Sequence, residues 1–128
     1  MLPRVNNIDE PSLASPASFF RELGNLHDAI VTEVTWNPVQ REIAIAVDDL
    51  YANFVGLPEY PGLQRATLIM AGVSRLQSDV TSDRFKPRIM DLEIEQTHSA
   101  AQIRVSVKFD SSGSLSIECS SIACRPAA

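Results

Sequence analysis

Apolar residues recur at every second position in several short stretches of this chain, the signature of strands with one buried face. Ile30, Thr32, Val34 and Trp36 form one such set, and Ile43, Ile45 and Val47 another. Directly opposed residues of an antiparallel pair share a face, so a register can be tested by matching apolar with apolar. A four-residue loop at 37–40, with Pro38 setting φ for a type I turn, opposes Val34 to Ile43, Thr32 to Ile45 and Ile30 to Val47. Near the C-terminus, a three-residue loop of Ser111, Ser112 and Gly113 opposes Phe109 to Leu115, Val107 to Ile117 and Val105 to Cys119. Gly113 then occupies the left-handed position of a G1 bulge.

Two further strands lie between these hairpins. Met90, Leu92 and Ile94 alternate with Asp91, Glu93 and Glu95, predicting a strand with an acidic outer face. A loop at 97–100 opposes Ile94 to Ile103 and Leu92 to Val105. Residues 67–73 are nearly continuously apolar, as expected of a central strand covered on both faces. Ser15 and Pro16 start a short helix, the serine as cap and the proline at the first helical position. Phe19, Phe20 and Leu23 form its apolar stripe and Gly24 ends it. So short a helix is unstable alone and must dock on the sheet. The expected fold is mainly β (α+β): about six antiparallel strands in a curved sheet or small sandwich, with one short N-terminal helix packed on it. One domain over 1–128 is expected, with residues 1–14 as an extended arm.

Composition agrees with a folded domain: 45% of the 128 residues are hydrophobic and 21% charged. No apolar run approaches the roughly 18 residues that span a bilayer, and the first residues do not read as a secretory signal. A cytoplasmic location is the resulting expectation. Residues 1–60 carry three Arg or Lys against nine Asp or Glu, a balance of −6, while the remainder carries eight against seven. That asymmetry disfavours a nucleic-acid backbone and suits a protein partner with a basic surface.

The connection at 48–62 is long for a compact domain. It holds Asp48, Asp49 and Glu59 beside Tyr51, Phe54 and Tyr60. Tyrosines with carboxylates suit a recognition surface; the same aromatics also suit a lid over the open end of the sheet. His27 and Asp28 form a second candidate pair, either at a ligand site or holding the turn from helix to strand through side-chain hydrogen bonds. The binding candidates are therefore His27, Asp28, Asp48, Asp49, Tyr51 and Tyr60. No catalytic residue, metal set or cofactor is expected. Asp48-Asp49 lacks the spacing of a calcium loop, and Cys119 and Cys124 lack companions for zinc. The cysteines are expected as free thiols. The basic run at 84–88 is too short for a nucleic-acid track.

Phe20, Leu23, His27, Asp28 and Ile30, running into a strand that ends at Trp36, resemble the opening of small bacterial β-rich domains of unknown function. Some of those are similar to immunity proteins of polymorphic toxin systems. The stretch 68–76 and a closing hairpin around Gly113, Ile117 and Cys119 match that layout. The resemblance implies a non-enzymatic protein-binding role, with a toxin domain or another protein as ligand. Two alternatives stand beside it: a small-ligand or enzymatic domain centred on His27, Asp28 and the 48–62 loop, and an assembly module that dimerises through an edge strand.

Overall fold

The structure is a computed structural model describing residues 12–80, 87–96, 102–110 and 113–127. The expected turns at 97–100 and 111–112, His98, residues 84–86 of the basic run and the first eleven residues of the arm lie outside the described residues.

The helix α1 (Pro16–Glu22) begins where proline and serine place it, although Ser15 makes no side-chain capping bond. Eight strands follow: β1 (Val31–Asn37), β2 (Glu42–Val47), β3 (Ala66–Ala71), β4 (Arg75–Val80), β5 (Ile89–Gln96), β6 (Ile103–Phe109), β7 (Gly113–Cys119) and β8 (Ser121–Pro126). They form two four-stranded antiparallel sheets, ordered β1-β2-β3-β8 and β4-β7-β6-β5. The mainly β, antiparallel expectation holds; in place of about six strands in a curved sheet or small sandwich there are eight strands in two sheets.

The extra strands arise at two corners. The β3/β8 pair of one sheet leads into the β4/β7 pair of the other, with 72–74 on one side of the bend and Ser120 on the other. Gly72 turns with φ of 65°, and a Cβ there would overlap the Ser120 hydroxyl. Ser120 holds the corner by donating its amide (2.9 Å) and hydroxyl (3.1 Å) to the Ala71 carbonyl. Arg41, in the first hairpin, accepts the Val73 amide on its carbonyl and donates Nε to the Val73 carbonyl at 3.0 Å. β4 escaped the sequence reading because all six of its residues are exposed and its apolar alternation is weak.

Opposite the corners, the two sheets meet through the bridge between Ile30 and Arg88. Asp28 donates its amide to Ile89, Ile89 to Ala29, and Val31 to Pro87. Side chains from both sheets then fill one core: Ile43, Ile45, Leu68, Met70 and Ile122 from one, Leu92, Val105, Val107 and Ile117 from the other. Phe20, Leu23 and Leu26 close one side, with the Phe19 ring edge-on to Phe20 at 5.1 Å. Leu13 of the arm is buried and donates its amide to Ile122 of β8. Cys119 and Cys124 are buried free thiols. Among the described residues no helix is long and apolar enough to cross a membrane.

All three expected hairpin registers are displaced by two residues. Val34 opposes Ile45 and Trp36 opposes Ile43; Ile94 opposes Val105 and Leu92 opposes Val107; Val107 opposes Leu115 and Val105 opposes Ile117. A slip of one would invert every face, whereas a slip of two keeps apolar opposite apolar and is invisible to the pattern. Bulges supply the remaining corrections. One between Val31 and Glu33 puts Val31 on the same face as Val34 and Trp36, which stay partly exposed because β1 is the sheet edge, and one between Ile89 and Asp91 buries Ile89 and turns Met90 outward. β3 is central as expected, but only Ala66, Leu68 and Met70 are buried, while Thr67, Ile69 and Ala71 lie on a half-covered face.

Candidate functional site

The β2 strand ends in two aspartates with different tasks. Asp48 continues the ladder towards Ile30, donating its amide to the Ile30 carbonyl (3.0 Å) and accepting the Ile30 amide on Oδ1 (2.8 Å). Asp49 turns inward and is only 4% exposed. Its Oδ1 accepts the amides of Tyr51 and Gln64, each at 3.0 Å, and its Oδ2 accepts the Tyr60 hydroxyl at 2.7 Å. One carboxylate thus joins the beginning, the far side and the end of the loop, and three donors offset the cost of burying it. The bond to Asp49 and partial desolvation push the Tyr60 hydroxyl up to about 12.

Around this clamp the loop winds through a 3-10 turn (Ala52–Phe54) and further turns in which Leu57 donates to Phe54 and Tyr60 to Leu57. Leu50 and Tyr51 are buried, and Tyr60 packs partly against the core. Two of the three aromatics of this segment, Tyr51 and Tyr60, thus pack inward, and Phe54 is half-buried. Gly24 carries the φ of 68° at the helix end, and a Cβ there would collide with Asn53, so helix end and loop interlock. Three aliphatic residues further along the loop are exposed: Val55 is 62% exposed, Leu57 49% and Leu63 64%.

A cavity of about 390 Å³ opens beside Leu63, lined by Asp28, Asp48, Asp49, Ala52, Val55, Tyr60 and Leu63, with Arg88 as the only cation of the lining among the described residues. Four of the six candidates from sequence meet here: Asp28, Asp48, Asp49 and Tyr60. Tyr51 does not, since its ring is in the core. His27 does not line the cavity either. Its Nδ1 donates to the Met90 carbonyl at 2.8 Å, and its Nε2 lies 3.6 Å from the Asp28 carboxylate, so this imidazole ties the helix-to-strand turn to β5. A carbonyl oxygen only accepts, so Nδ1 carries a proton in this contact.

Asp28 is placed by a backbone φ of 73° and by its amide bond to Ile89. Arg88, Val55 and Leu63 were not anticipated from sequence. Arg88 arrives only through the closure of the two sheets at Ile30, which no local pattern announces. Val55 and Leu63 were visible as aliphatic residues in an irregular segment, the one signal available. A second cavity, of about 550 Å³, lies on the other side of Asp48 and Leu63, lined also by Thr32, Arg65, Thr67 and Ala127. Asp48 and Leu63 line both cavities.

Chemically, the smaller cavity sets three carboxylates and a phenol against one guanidinium, beside three aliphatic side chains. Asp49 and Tyr60 are bonded to each other, so Asp28 and Asp48 carry the acidic character of this lining. Among the described residues no group of three or more His, Cys, Asp and Glu is arranged to hold a metal ion. Neither protein-family models nor curated proteins give a match for this sequence, so the functional reading rests on the geometry of this loop and cavity.

Proposed function

We propose that this chain is a protein-binding domain whose docking surface is the outer side of the 48–64 loop with Asp28. The observation that carries the reading is the division of labour within the loop. Tyr51, Tyr60 and Asp49 are turned inward, while Val55 and Leu63 are exposed beside Asp28 and Asp48, and Leu57 and Glu59 are exposed further along the loop. Aliphatic side chains left in water next to carboxylates match a partner with apolar residues and basic charge, since complementary fields speed encounter and set register. The resemblance to immunity proteins makes a toxin domain the partner class of first interest.

The test is binding to a partner captured from the native host, measured by calorimetry. Val55→Lys and Leu63→Lys remove an apolar contact and set like charge against a basic partner, and are expected to weaken binding by about tenfold or more. Val39→Lys, in the first hairpin turn and 91% exposed, serves as the control and is expected to bind as wild type. If both loop variants bind as tightly as wild type, the loop has no part in recognition.

The cavity supports a second reading, a site for a small organic cation. Arginine amide as probe distinguishes the two. A dose-dependent rise in Tm that is lost in Asp48→Asn favours the small-ligand site; the absence of any shift leaves the protein interface.

A further inference from the structure

An alternating row of charges crosses the outer face of the second sheet. Glu95 of β5 lies opposite Arg104 of β6, Arg104 opposite Glu118 of β7, and Glu118 opposite Arg75 of β4. Arg104 bridges its neighbours, with Nη1 3.9 Å from Glu95 and Nη2 3.2 Å from Glu118. The row ends in Arg75, on the outermost strand. Glu118 is held by Arg104, and among the described residues Arg75 makes no ion pair.

β4 is also a bare edge. Among the described residues it pairs with β7 alone, in a register without a bulge, and all six of its residues are exposed. It carries neither lysine nor proline, two devices by which edge strands avoid pairing. Its sequence, Arg75-Leu76-Gln77-Ser78-Asp79-Val80, is self-complementary about Gln77. In an antiparallel pair of two copies centred there, each Arg75 faces the other copy's Asp79, and each Leu76 faces Ser78 with Leu76 and Val80 on its diagonals. Asp79 also makes no ion pair among the described residues. Within one copy Arg75 and Asp79 are about 13 Å apart along the strand, too far to pair with each other.

We propose that the protein forms a two-fold symmetric dimer by antiparallel pairing of β4 with β4 of a second copy, centred on Gln77. The charge row then continues through the axis, with Arg75 meeting Asp79 twice. The two four-stranded sheets become one sheet of eight, and the exposed Leu76 and Val80 of both copies gather on its inner side. Two equal faces that each carry both charges make the contact isologous and closed, so association stops at two. This interface is separate from the 48–64 loop and independent of its function.

Sedimentation velocity of the whole chain from about 10 µM to about 1 mM is expected to show a monomer–dimer equilibrium. Arg75→Asp turns both contacts into pairs of acids and Asp79→Arg turns both into pairs of bases. Each is expected to weaken the dimer by about tenfold or more. An equimolar mixture of the two variants restores opposite charges at both contacts and is expected to form the heterodimer, a recovery that a folding defect does not produce. The double variant R75D/D79R is expected to dimerise as wild type does. A wild type that stays monomeric at about 1 mM, or single variants that dimerise as well alone as mixed, overturns the proposal.

Discussion

The Tyr60 hydroxyl donates to the Asp49 carboxylate across 2.7 Å, and the other oxygen of that carboxylate holds the amides of Tyr51 and Gln64. A loop that looked open to interpretation from sequence is thereby fastened at three points to one buried group. Replacing Asp49 with alanine leaves three donors without an acceptor, two of them backbone amides. Asp49→Ala is expected to cost about 3 kcal/mol in urea denaturation. Hydrogen exchange should show the loss concentrated in the loop amides. Val55→Glu, at an exposed site, should fall within about 0.5 kcal/mol of wild type.

The same bond sets an alkaline limit. Tyr60 is raised above the ordinary tyrosine value, to about 12, first by the bond to Asp49 and then by desolvation. A hydroxyl whose value is higher in the folded chain stabilises the fold fully below pH 10, and that contribution disappears as pH rises through about 12. Spectrophotometric titration near 295 nm, in a chain with two tyrosines, is expected to show a late phenolate component that Tyr60→Phe removes. A Tyr60 that ionises near 10 would show that the bond does not persist in solution.

Two glycines differ in how far their neighbours can yield. A Cβ on Gly113, at φ of 101°, meets the Asp79 carbonyl in the paired strand β4; one on Gly72 meets the side chain of Ser120. Backbone in a ladder cannot move aside as a hydroxyl can. Gly113→Ala is expected to cost about 3 kcal/mol or more, and Gly72→Ala less, with part of its cost relieved by adding Ser120→Ala. Thermal denaturation of the three variants gives the order directly.

Cys119 and Cys124 sit inside the core, and burial pushes their thiols up to about 11 and about 12; for Cys119 an amide bond from Ser121 offsets part of the rise. The reactive form is the thiolate, so both should react with a disulfide reagent far more slowly than free cysteine at pH 8. The rate should rise steeply across the urea transition. Rapid modification of the native protein would show that this side of the core opens.

The six candidates divided according to what a sequence can display. Asp28, Asp48, Asp49 and Tyr60 stand out in the sequence as polar groups in irregular segments, and the fold brings them to one cavity. Their tasks were not legible: Asp49 is spent on three internal donors, and Tyr51, named on the same grounds as Tyr60, is in the core. A tyrosine in a loop has the same composition whether its ring points in or out. Arg88 needed the Ile30 bridge before it could face Asp28 and Asp48.

By itself the sequence determined which side of most strands is buried, because side chains alternate and burial responds to apolar area alone. It also placed the start of the helix, through Pro16, and the left-handed turn at Gly24, through the absence of a side chain. Tertiary structure decided what that alternation leaves degenerate. A shift of two residues preserves every face, so the partners of Val34, Leu92 and Val107 depended on how their turns close. Bulges at Val31 and Ile89, the corners at Gly72 and Ser120, and the closure at Ile30 depend on contacts between residues far apart in the chain. Local pattern carries no information about such contacts, since their free energy exists only once both sheets are in place.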